Sequence, residues 1–343
     1  MTVPLPSEAD WQAAIAAIGA PGDMLLVCHL NPDGDALGSA LGLALALDAR
    51  GRRVAVSFSE PLRLPDTLSH LPGQHLLVRP EDAPAAPDVL ITFDTGSADR
   101  LGDLADRVQT AKQVVVIDHH ASNTGYGTIH LVDTTAAATA VVVADLLDRL
   151  GAEIDHDVAA CLYTGLSTDT GSFRYAATTP QVHHLAARFL ATGIRHDLIA
   201  RELYDSHPFA WVSLLGAVLS RTVLEPEAAA GLGVVWTYAT LTDLAERSVG
   251  IEQVEGVIDV IRTAREAEVA AVCKEQPDGS WAVSLRSKGR LDVGQVSVSL
   301  GGGGHALAAG FTATGSLDGV VKLLRDALDV ARVGLADPGV RGT

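Results

Sequence analysis

The sequence predicts an α/β protein with an N-terminal domain built on a mainly parallel sheet flanked by helices. A linker helix and a smaller C-terminal α/β domain are expected to follow. Three observations support this fold class. Short runs of β-branched and other apolar residues alternate with longer Ala- and Leu-rich segments of helical spacing. Several of these runs end in His or Asp. The pattern changes after Tyr204, where period-two strands begin.

The 343 residues suffice for two domains of ordinary size. We expect an N-terminal domain over residues 1–195, a linker over 196–212, a C-terminal domain over 213–335 and a tail over 336–343.

The net charge constrains the partners of this protein. Twenty-five basic and 42 acidic residues give a formal charge of −17. Such a field repels long nucleic acids, so a nucleotide or phosphate-ester substrate should be small. Bound divalent metal ions would supply the missing positive charge locally.

Targeting features and cysteines point to the compartment. No apolar run is long enough to span a bilayer, and the N-terminus lacks a basic region followed by an apolar core. A soluble, cytoplasmic protein without a membrane partner is therefore expected. Cys28, Cys161 and Cys273 lie far apart in apolar surroundings, which favours buried, reduced thiols.

The first predicted strand, Met24–Cys28, ends in His29 and is followed by Asp33 and Asp35 before a helix. Both carboxylates would lie above the strand end, where open parallel sheets bind ligands. The alternative is structural, with Asp33 as a turn residue and Asp35 as a helix N-cap.

Two further strands end in similar residues. Val89–Phe93 runs into Asp94, for which an Asx-turn is the structural alternative. Residues 114–117 form a four-residue β-branched run that ends in Asp118, His119 and His120.

The next two helices complete the predicted edge. Thr134 or Thr135 is expected to cap a helix over residues 136–149. A helix over about residues 156–166 is expected next, although the spacing leaves open whether Cys161–Leu166 is strand or helix. In both cases the segment should run into a Gly/Thr/Ser loop that carries Asp169. Mixed imidazole and carboxylate groups suit Mn, Fe, Zn or Co better than Mg or Ca.

The C-terminal part carries a possible anion site. Strands are predicted at Val234–Tyr238, Val269–Lys274 and Trp281–Arg286, with a hairpin turn at Asp278-Gly279. Four glycines, 301–304, precede His305, and such a run can turn its N–H groups towards an anion. A flexible linker is the alternative. The nearby Lys274, Arg286, Lys288 and Arg290 form a predicted positive patch, which indicates phosphate or nucleotide recognition.

In order, these motifs resemble the DHH phosphoesterase superfamily over about residues 20–330. More narrowly, the chain is similar to the DHH–DHHA1 subfamily. That subfamily includes nanoRNases (oligoribonucleases) of the NrnA type, cyclic-dinucleotide phosphodiesterases and 3′-phosphoadenosine 5′-phosphate (pAp) phosphatases. The resemblance implies a catalytic, metal-binding DHH domain followed by a substrate-binding DHHA1 domain.

The resemblance also implies roles for individual residues. His29, Asp33 and Asp94 would hold one Mn²⁺ ion, and Asp35, Asp94, His119 and Asp169 the other, with Asp94 bridging. Mg²⁺ or Co²⁺ could substitute. Asp118, which would orient the site, and His120, which would reach the phosphate, are the expected catalytic residues. The base and terminal phosphate would be held by His120, Arg286, Ser287, Gly303, Gly304 and His305. Ala306 stands where relatives often carry a basic residue.

We therefore expect a Mn²⁺-dependent phosphoesterase that uses two metal ions to activate a bridging water. Its substrates would be short 5′-phosphorylated oligonucleotides, cyclic dinucleotides such as c-di-AMP, or pAp. The alternatives are a DHH-type inorganic pyrophosphatase or exopolyphosphatase, and a nucleotide sensor without turnover. Exposed sheet edges in such folds often support homodimers, which makes a homodimer an expectation.

Overall fold

A computed structural model of the chain describes residues 4–304 and 306–331. The chain divides into two compact units, Met1–Ser206 and His207–Thr343. The division falls inside the predicted linker 196–212, which contains a helix over His196–Tyr204. The predicted α/β class is confirmed for both units, and the exact domain bounds stay a proposal.

The first unit alternates strands and helices. Its strands are β1 (Met24–Cys28), β2 (Val54–Ser57), β3 (Val89–Phe93), β4 (Gln113–Asp118) and β5 (Ile129–Val132). Its α-helices are α1 (Glu8–Gly19), α2 (Gly34–Asp48), α3 (Arg107–Thr110), α4 (Thr139–Arg149), α5 (His156–Asp169), α6 (Pro180–Ala191) and α7 (His196–Tyr204). Short 3₁₀ segments lie at Asp66–Leu68, Gln74–Leu76 and Ala98–Leu104.

The five strands form one parallel sheet in the order β2-β1-β3-β4-β5. All residues of β1 and β3, and all but the first of β4, are buried, as expected for a sheet covered on both faces. The direction of strand succession reverses between β1 and β3. Such a switch point opens a crevice at the carboxyl ends of the strands.

The register of the central strands brings the polar strand ends together. Cys28 of β1 pairs with Phe93 of β3, and Phe93 pairs with Ile117 of β4. The next residue on each strand is therefore His29, Asp94 or Asp118. Apolar strand interiors thus set three functional groups side by side at one edge of the sheet.

Helices α2 and α5 approach each other closely because glycines lie between them. A Cβ atom at Gly38 would lie 2.3 Å from the backbone oxygen of Cys161, and one at Gly42 would lie 3.0 Å from a Leu162 methyl carbon. A Cβ atom at Gly165 would lie 2.7 Å from Oδ1 of Asp35. This contact brings Asp35 on α2 to the side of α5 that ends in Asp169.

The predicted loop position of Asp169 was wrong. Helix α5 continues to Asp169, and Gly171, with φ of +57°, follows its C-cap in the left-handed conformation that commonly ends helices. The polar Ser-Thr-Asp-Thr run suggested a loop, but its backbone groups keep helical hydrogen bonds, such as Thr170 N–H to Leu166 O at 3.2 Å.

The predicted cap and start of helix 136–149 were also wrong. Helix α4 begins at Thr139, and the Thr135 hydroxyl donates to Asp133 instead, at 2.7 Å. The first N–H groups of α4 donate to the distant carboxylate of Asp35, from Thr139 at 2.6 Å and from Ala140 at 2.9 Å. A cap from another helix leaves no local sequence signal.

The second unit contains a six-stranded mixed sheet in the order β10-β11-β9-β8-β7-β6. Its strands are β6 (Val223–Glu225), β7 (Val234–Ala239), β8 (Val269–Glu275), β9 (Ser280–Ser287), β10 (Gly303–Gly304) and β11 (Ala308–Thr314). Its helices are α8 (Phe209–Leu219), α9 (Ala228–Gly231), α10 (Leu241–Arg247), α11 (Val257–Ile261), α12 (Val293–Ser299) and α13 (Leu317–Val330), with a 3₁₀ segment at Ile251–Gly256. The predicted hairpin joins β8 to β9, with Gly279 at φ of +81°.

Two simpler predictions can be compared with the structure. Cys28, Cys161 and Cys273 are buried free thiols, as predicted. Over the described residues, no helix is both long and apolar enough to cross a bilayer.

The close contact of α2 and α5 generates a stability prediction. Gly38→Ala should lower the free energy of unfolding by about 1–3 kcal/mol, because the added methyl group meets a backbone oxygen that cannot move away alone. Urea unfolding measures this. The matched control is Gly19→Ala, at the end of α1, where a Cβ atom has nothing within 4 Å. The control should be neutral or stabilising by up to about 1 kcal/mol, and equal effects of the two variants would contradict the packing argument.

Candidate active site

Seven of the predicted site residues of the first unit meet in one cluster. The cluster contains three overlapping groups whose ligand atoms lie within 4.8 Å of one another and could hold a metal ion. These groups are His29 with Asp33 and Asp94, Asp35 with His119 and Asp169, and Asp94 with His119 and His120. All come from the carboxyl ends of β1, β3 and β4, the start of α2 and the end of α5.

Two histidines of the cluster are oriented by backbone carbonyls. Nδ1–H of His29 donates to the oxygen of Leu30 at 2.7 Å, and Nδ1–H of His119 donates to the oxygen of Ala136 at 3.2 Å. Both rings therefore direct Nε2 towards the carboxylates. Metal-binding histidines are commonly held in this way, through the ring nitrogen that does not bind the metal.

Asp94 lies at the centre of the cluster. Its Oδ2 is 3.6 Å from Nε2 of His29, and its Oδ1 is 3.4 Å from Nε2 of His119. The residue has a φ of +55°, a conformation that Asp tolerates better than most side chains. Its two oxygens thus face different histidines, an arrangement suited to a bridging carboxylate.

Asp33 and Asp35 have different environments at the start of α2. Asp33 is the N-cap, and its side chain accepts from the N–H groups of Asp35 and Ala36 at 3.1 and 3.0 Å. Asp35 lies in the first turn and is fully buried. The alternative considered from the sequence, with Asp33 in a turn and Asp35 as the N-cap, is therefore wrong, since Asp33 caps the helix. Capping leaves Asp33 half-exposed and still within reach of His29.

Asp118 organises the residues that follow β4. Its Oδ1 accepts from the backbone N–H groups of His119 and His120 at 2.9 and 3.2 Å, and from the Nδ1–H of His120 at 2.6 Å. Its Oδ2 accepts from the side-chain amide of Asn123 at 2.6 Å. These bonds fix the orientation of the His120 ring and assign its proton to Nδ1.

Burial and mutual charge shift the pKa values of the cluster. Burial raises the pKa of Asp35, and the nearby charges of Asp169 and Asp94 raise it further. Burial alone would raise the pKa of Asp94, but His29, His120 and His119 lower it well below its usual range. For His119, burial favours the neutral ring, yet Asp169, at 3.1 Å, and the charges of Asp35 and Asp94 raise its pKa.

The donor chemistry of the cluster fits divalent metal ions. Among the described residues, the ion pairs of Asp33, Asp94, Asp118 and Asp169 are all with histidines. Buried carboxylates without Lys or Arg partners are costly unless a cation joins them. Imidazole and carboxylate together suit Mn, Fe, Zn or Co.

The predicted substrate residues of the second unit lie around β11. Arg286 pairs with Ala308 across β9 and β11, whereas Gly304 and Gly303 pair with Ala309 and Gly310 on the other side of β11. Arg286 and the glycine pair are thus neighbours across one strand. His305 lies outside the described residues.

Ser287 faces away from Arg286, because successive side chains on a strand alternate between its faces. It is buried, and its hydroxyl donates to Glu268 at 2.8 Å. The structure therefore separates Ser287 from Arg286, with which the sequence had grouped it.

The glycine run also has a packing role. A Cβ atom at Gly302 would lie 2.1 Å from the oxygen of Gly310, and one at Gly304 would lie 2.5 Å from Cα of Ala309. A cleft of about 350 Å³ lies beside it, lined by Ala282, Val283, Ser284, Gly301, Gly302, Gly310, Phe311 and Thr312. The flexible-linker alternative does not hold for Gly303 and Gly304, which form a strand.

The predicted positive patch is smaller than expected. Lys274 is buried and pairs with Glu255, while it also donates to Ser284 at 2.9 Å. Lys288 donates to the backbone oxygen of Ala264. Lys274 was therefore wrongly assigned to an anion-binding patch, because its charge is already balanced inside the unit.

Sequence reasoning missed two polar residues of the site, one that contacts the cluster directly and one that contacts Asp118. Asn123 bonds Asp118, and Thr139 bonds both Asp35 and Asp94. Asn123 follows the Asp-His-His triplet closely, which was a weak signal. Thr139 is one of several threonines before a helix, and nothing local distinguishes it.

Comparisons with known proteins agree with this geometry. The family described as "DHH family, N-terminal domain" matches residues 23–166, and the DHHA1 domain matches residues 238–331. The bifunctional oligoribonuclease and PAP phosphatase NrnA of Thermus thermophilus is 34% identical over 86% of this chain and 85% of its own length. A probable NrnA of Streptococcus mutans is 30% identical over 88% of this chain and 92% of its own length.

A solved structure shows the same fold. An exopolyphosphatase-related protein from Bacteroides fragilis superposes with a TM-score of 0.87, at 24% identity, over 95% of this chain and 97% of that one. Taken with the two domain matches and the relatives, the motif order identifies the chain as a member of the DHH–DHHA1 family, a hydrolase of phosphoester bonds.

Proposed function

We propose that this protein is a Mn²⁺-dependent phosphoesterase that hydrolyses short 5′-phosphorylated oligoribonucleotides and pAp. Cyclic dinucleotides such as c-di-AMP are a further substrate class of the same chemistry. The first unit carries out hydrolysis, and the second unit recognises the substrate. The names of the relatives from Thermus thermophilus and Streptococcus mutans support this choice of substrates.

The observation that carries the proposal is the pair of donor sets that meet at Asp94. His29, which shares a donor group with Asp33, lies near one oxygen of Asp94, and His119 lies near the other. Asp35 and Asp169 complete the second set with His119. When bound, two divalent ions supply Lewis acidity and positive charge at the phosphoryl group. Histidine donors favour Mn²⁺ over Mg²⁺, and Co²⁺ suits the same donors.

The residues of the chain then have separate tasks. The backbone-oriented rings of His29 and His119 present Nε2 as fixed donors, and Asp94 holds the two sets at a constant separation. Asp118 accepts the Nδ1–H of His120 and fixes the ring, so a hydrogen bond to a phosphoryl oxygen would come from Nε2 when that nitrogen also carries a proton. His120 is thereby placed to hold the phosphate while a ribose oxygen leaves.

In the second unit, Arg286 and the edge strand Gly303–Gly304 are proposed to bind the base and terminal phosphate. Ser287 supports this region indirectly, since its hydroxyl accepts from Gly289 N–H at 3.0 Å and donates to Glu268. His305 keeps its predicted role as a proposal. The cytoplasmic location and the homodimer expected from the sequence also stay predictions.

The test is a substrate panel with purified protein and Mn²⁺, Mg²⁺ or Co²⁺. The panel contains 5′-phosphorylated diadenylate, pAp, c-di-AMP and inorganic pyrophosphate. Turnover of diadenylate or pAp, highest with Mn²⁺ and with pyrophosphate inert, is the expected result. Cleavage of pyrophosphate alone would favour the pyrophosphatase alternative, and nucleotide binding without turnover would favour a sensor.

Asp94→Asn should reduce Mn²⁺-dependent turnover by more than about a hundredfold, because it removes charge from both donor sets at once. Rates are compared at saturating substrate over a range of Mn²⁺ concentrations. The matched control is Asp157→Asn, an exposed carboxylate in the first turn of α5, which should leave turnover unchanged. Retention of full activity by Asp94→Asn would refute the proposed metal site.

Metal binding should also depend on pH. Acidic neighbours raise the pKa of His119, so we expect Nε2 of this ring to carry a proton at neutral pH that a metal ion would have to displace. The apparent dissociation constant for Mn²⁺ should therefore rise as pH falls from about 9 to 7, by up to about tenfold per unit for one displaced proton.

Calorimetry in buffers of different ionisation enthalpy counts the released protons. His119→Gln should release fewer protons than wild type, while His75→Gln, which alters an exposed ring, should match wild type. A Mn²⁺ affinity that does not change with pH would contradict this linkage.

A further inference from the structure

Thr139 occupies an unusual position at the start of α4. It is fully buried, and the preceding N-cap residue, Ala138, makes no side-chain cap. The cap comes from α2, since the Thr139 N–H donates to Oδ2 of Asp35 at 2.6 Å and the Ala140 N–H donates to Oδ1 at 2.9 Å. The positive end of an eleven-residue helix therefore faces the Asp35 carboxylate.

The Thr139 side chain contacts a second carboxylate. Its hydroxyl donates to Oδ1 of Asp94 at 2.9 Å. One residue thus holds Asp35 through its backbone and Asp94 through its side chain. These two carboxylates belong to different donor groups, Asp35 with His119 and Asp169, and Asp94 with His29 and Asp33.

The contact of Thr139 with Asp94 restricts the rotation of the Asp94 carboxylate. A carboxylate can rotate about its Cβ–Cγ bond, and rotation of Asp94 would move its oxygens away from their separate histidines. The hydroxyl of Thr139 bonds the same oxygen that lies 3.4 Å from His119. It occupies one lone pair of that oxygen and leaves the other lone pair for a cation. Thr139 therefore fixes the rotation of Asp94 relative to Asp35.

We propose that Thr139 is a positioning residue that sets the spacing between the two metal ions by holding Asp35 and Asp94 in one arrangement. This inference rests on the proposed function, since it concerns the same metal centre. The hydroxyl acts through Asp94, which it contacts directly. Mutation of a residue that orients a metal ligand in this way typically weakens metal affinity or activity by about 10–100-fold.

The test compares Thr139→Val, which has nearly the same shape but no hydroxyl, with Thr139→Ser, which keeps the hydroxyl. Mn²⁺ binding is measured by calorimetry, and the magnetic coupling between bound ions by electron paramagnetic resonance. Thr139→Val should bind Mn²⁺ about 10–100-fold more weakly and lose or alter the coupling. It should lower kcat more than it raises KM. Thr139→Ser should restore all of these properties to near wild type.

Two controls separate positioning from stability. Thr164→Val removes another buried threonine hydroxyl, which bonds the oxygen of Ala160, and should leave Mn²⁺ affinity and coupling unchanged. Circular dichroism in the absence of metal checks that each variant folds. If Thr139→Val does not fold, Thr139→Ala and Thr139→Ser give the same comparison of hydroxyl absent and present.

The outcomes distinguish this inference from the proposed function. Wild-type protein that binds two Mn²⁺ ions, together with a folded Thr139→Val of equal affinity and coupling, would overturn the role of Thr139 alone. Wild-type protein that binds no divalent ion would overturn the proposed function and this inference with it. Weakened binding in Thr139→Val with rescue by Thr139→Ser would support the inference.

Discussion

The glycine contact between α2 and α5 is the constraint on which the rest of the site depends. A methyl group at Gly165 would overlap the Asp35 carboxylate, and one at Gly38 would overlap a backbone oxygen of α5. Only without these methyl groups do the two helices come close enough for Asp35 and Asp169 to share His119. Helix α4 is then attached to the same point, because its first N–H groups end on Asp35. Helices α2, α4 and α5 thus all pack around the buried carboxylate of Asp35.

Burial makes the same arrangement electrostatically demanding. Asp35, Asp94 and Asp118 have almost no exposure to water, and each carboxylate has a different set of polar partners. Asp35 accepts hydrogen bonds from the N-terminus of α4, and histidine rings lie beside Asp94. Asp118 accepts from backbone N–H groups and from an asparagine amide. Burial, together with the charges of Asp169 and Asp94, raises the pKa of Asp35 in spite of its hydrogen bonds from α4. A site with this balance is adapted to receive cations, in agreement with the membership of the chain in a phosphoesterase family.

The sequence predicted the strand ends well because their signals are local. Apolar runs placed His29, Asp94 and Asp118 at the ends of three strands, and the register confirms that these positions are neighbours. Asp169 was placed in a loop because a polar run resembles a turn when its backbone bonds are unknown. Thr139 could not be found, since its bonds to Asp35 and Asp94 span 104 and 45 residues. The pairing of Lys274 with Glu255 was equally hidden, because two residues 19 apart meet only in the folded unit.

The division of the chain leaves all of the predicted metal donors on one side of it. Every predicted metal donor lies between His29 and Asp169, within the first compact unit. Residues of the same unit, including Leu30, Asn123 and Ala136, bond the side chains of this site. Every predicted donor and each of these bonding residues is therefore encoded before His207, so a substitution in the second unit replaces none of them.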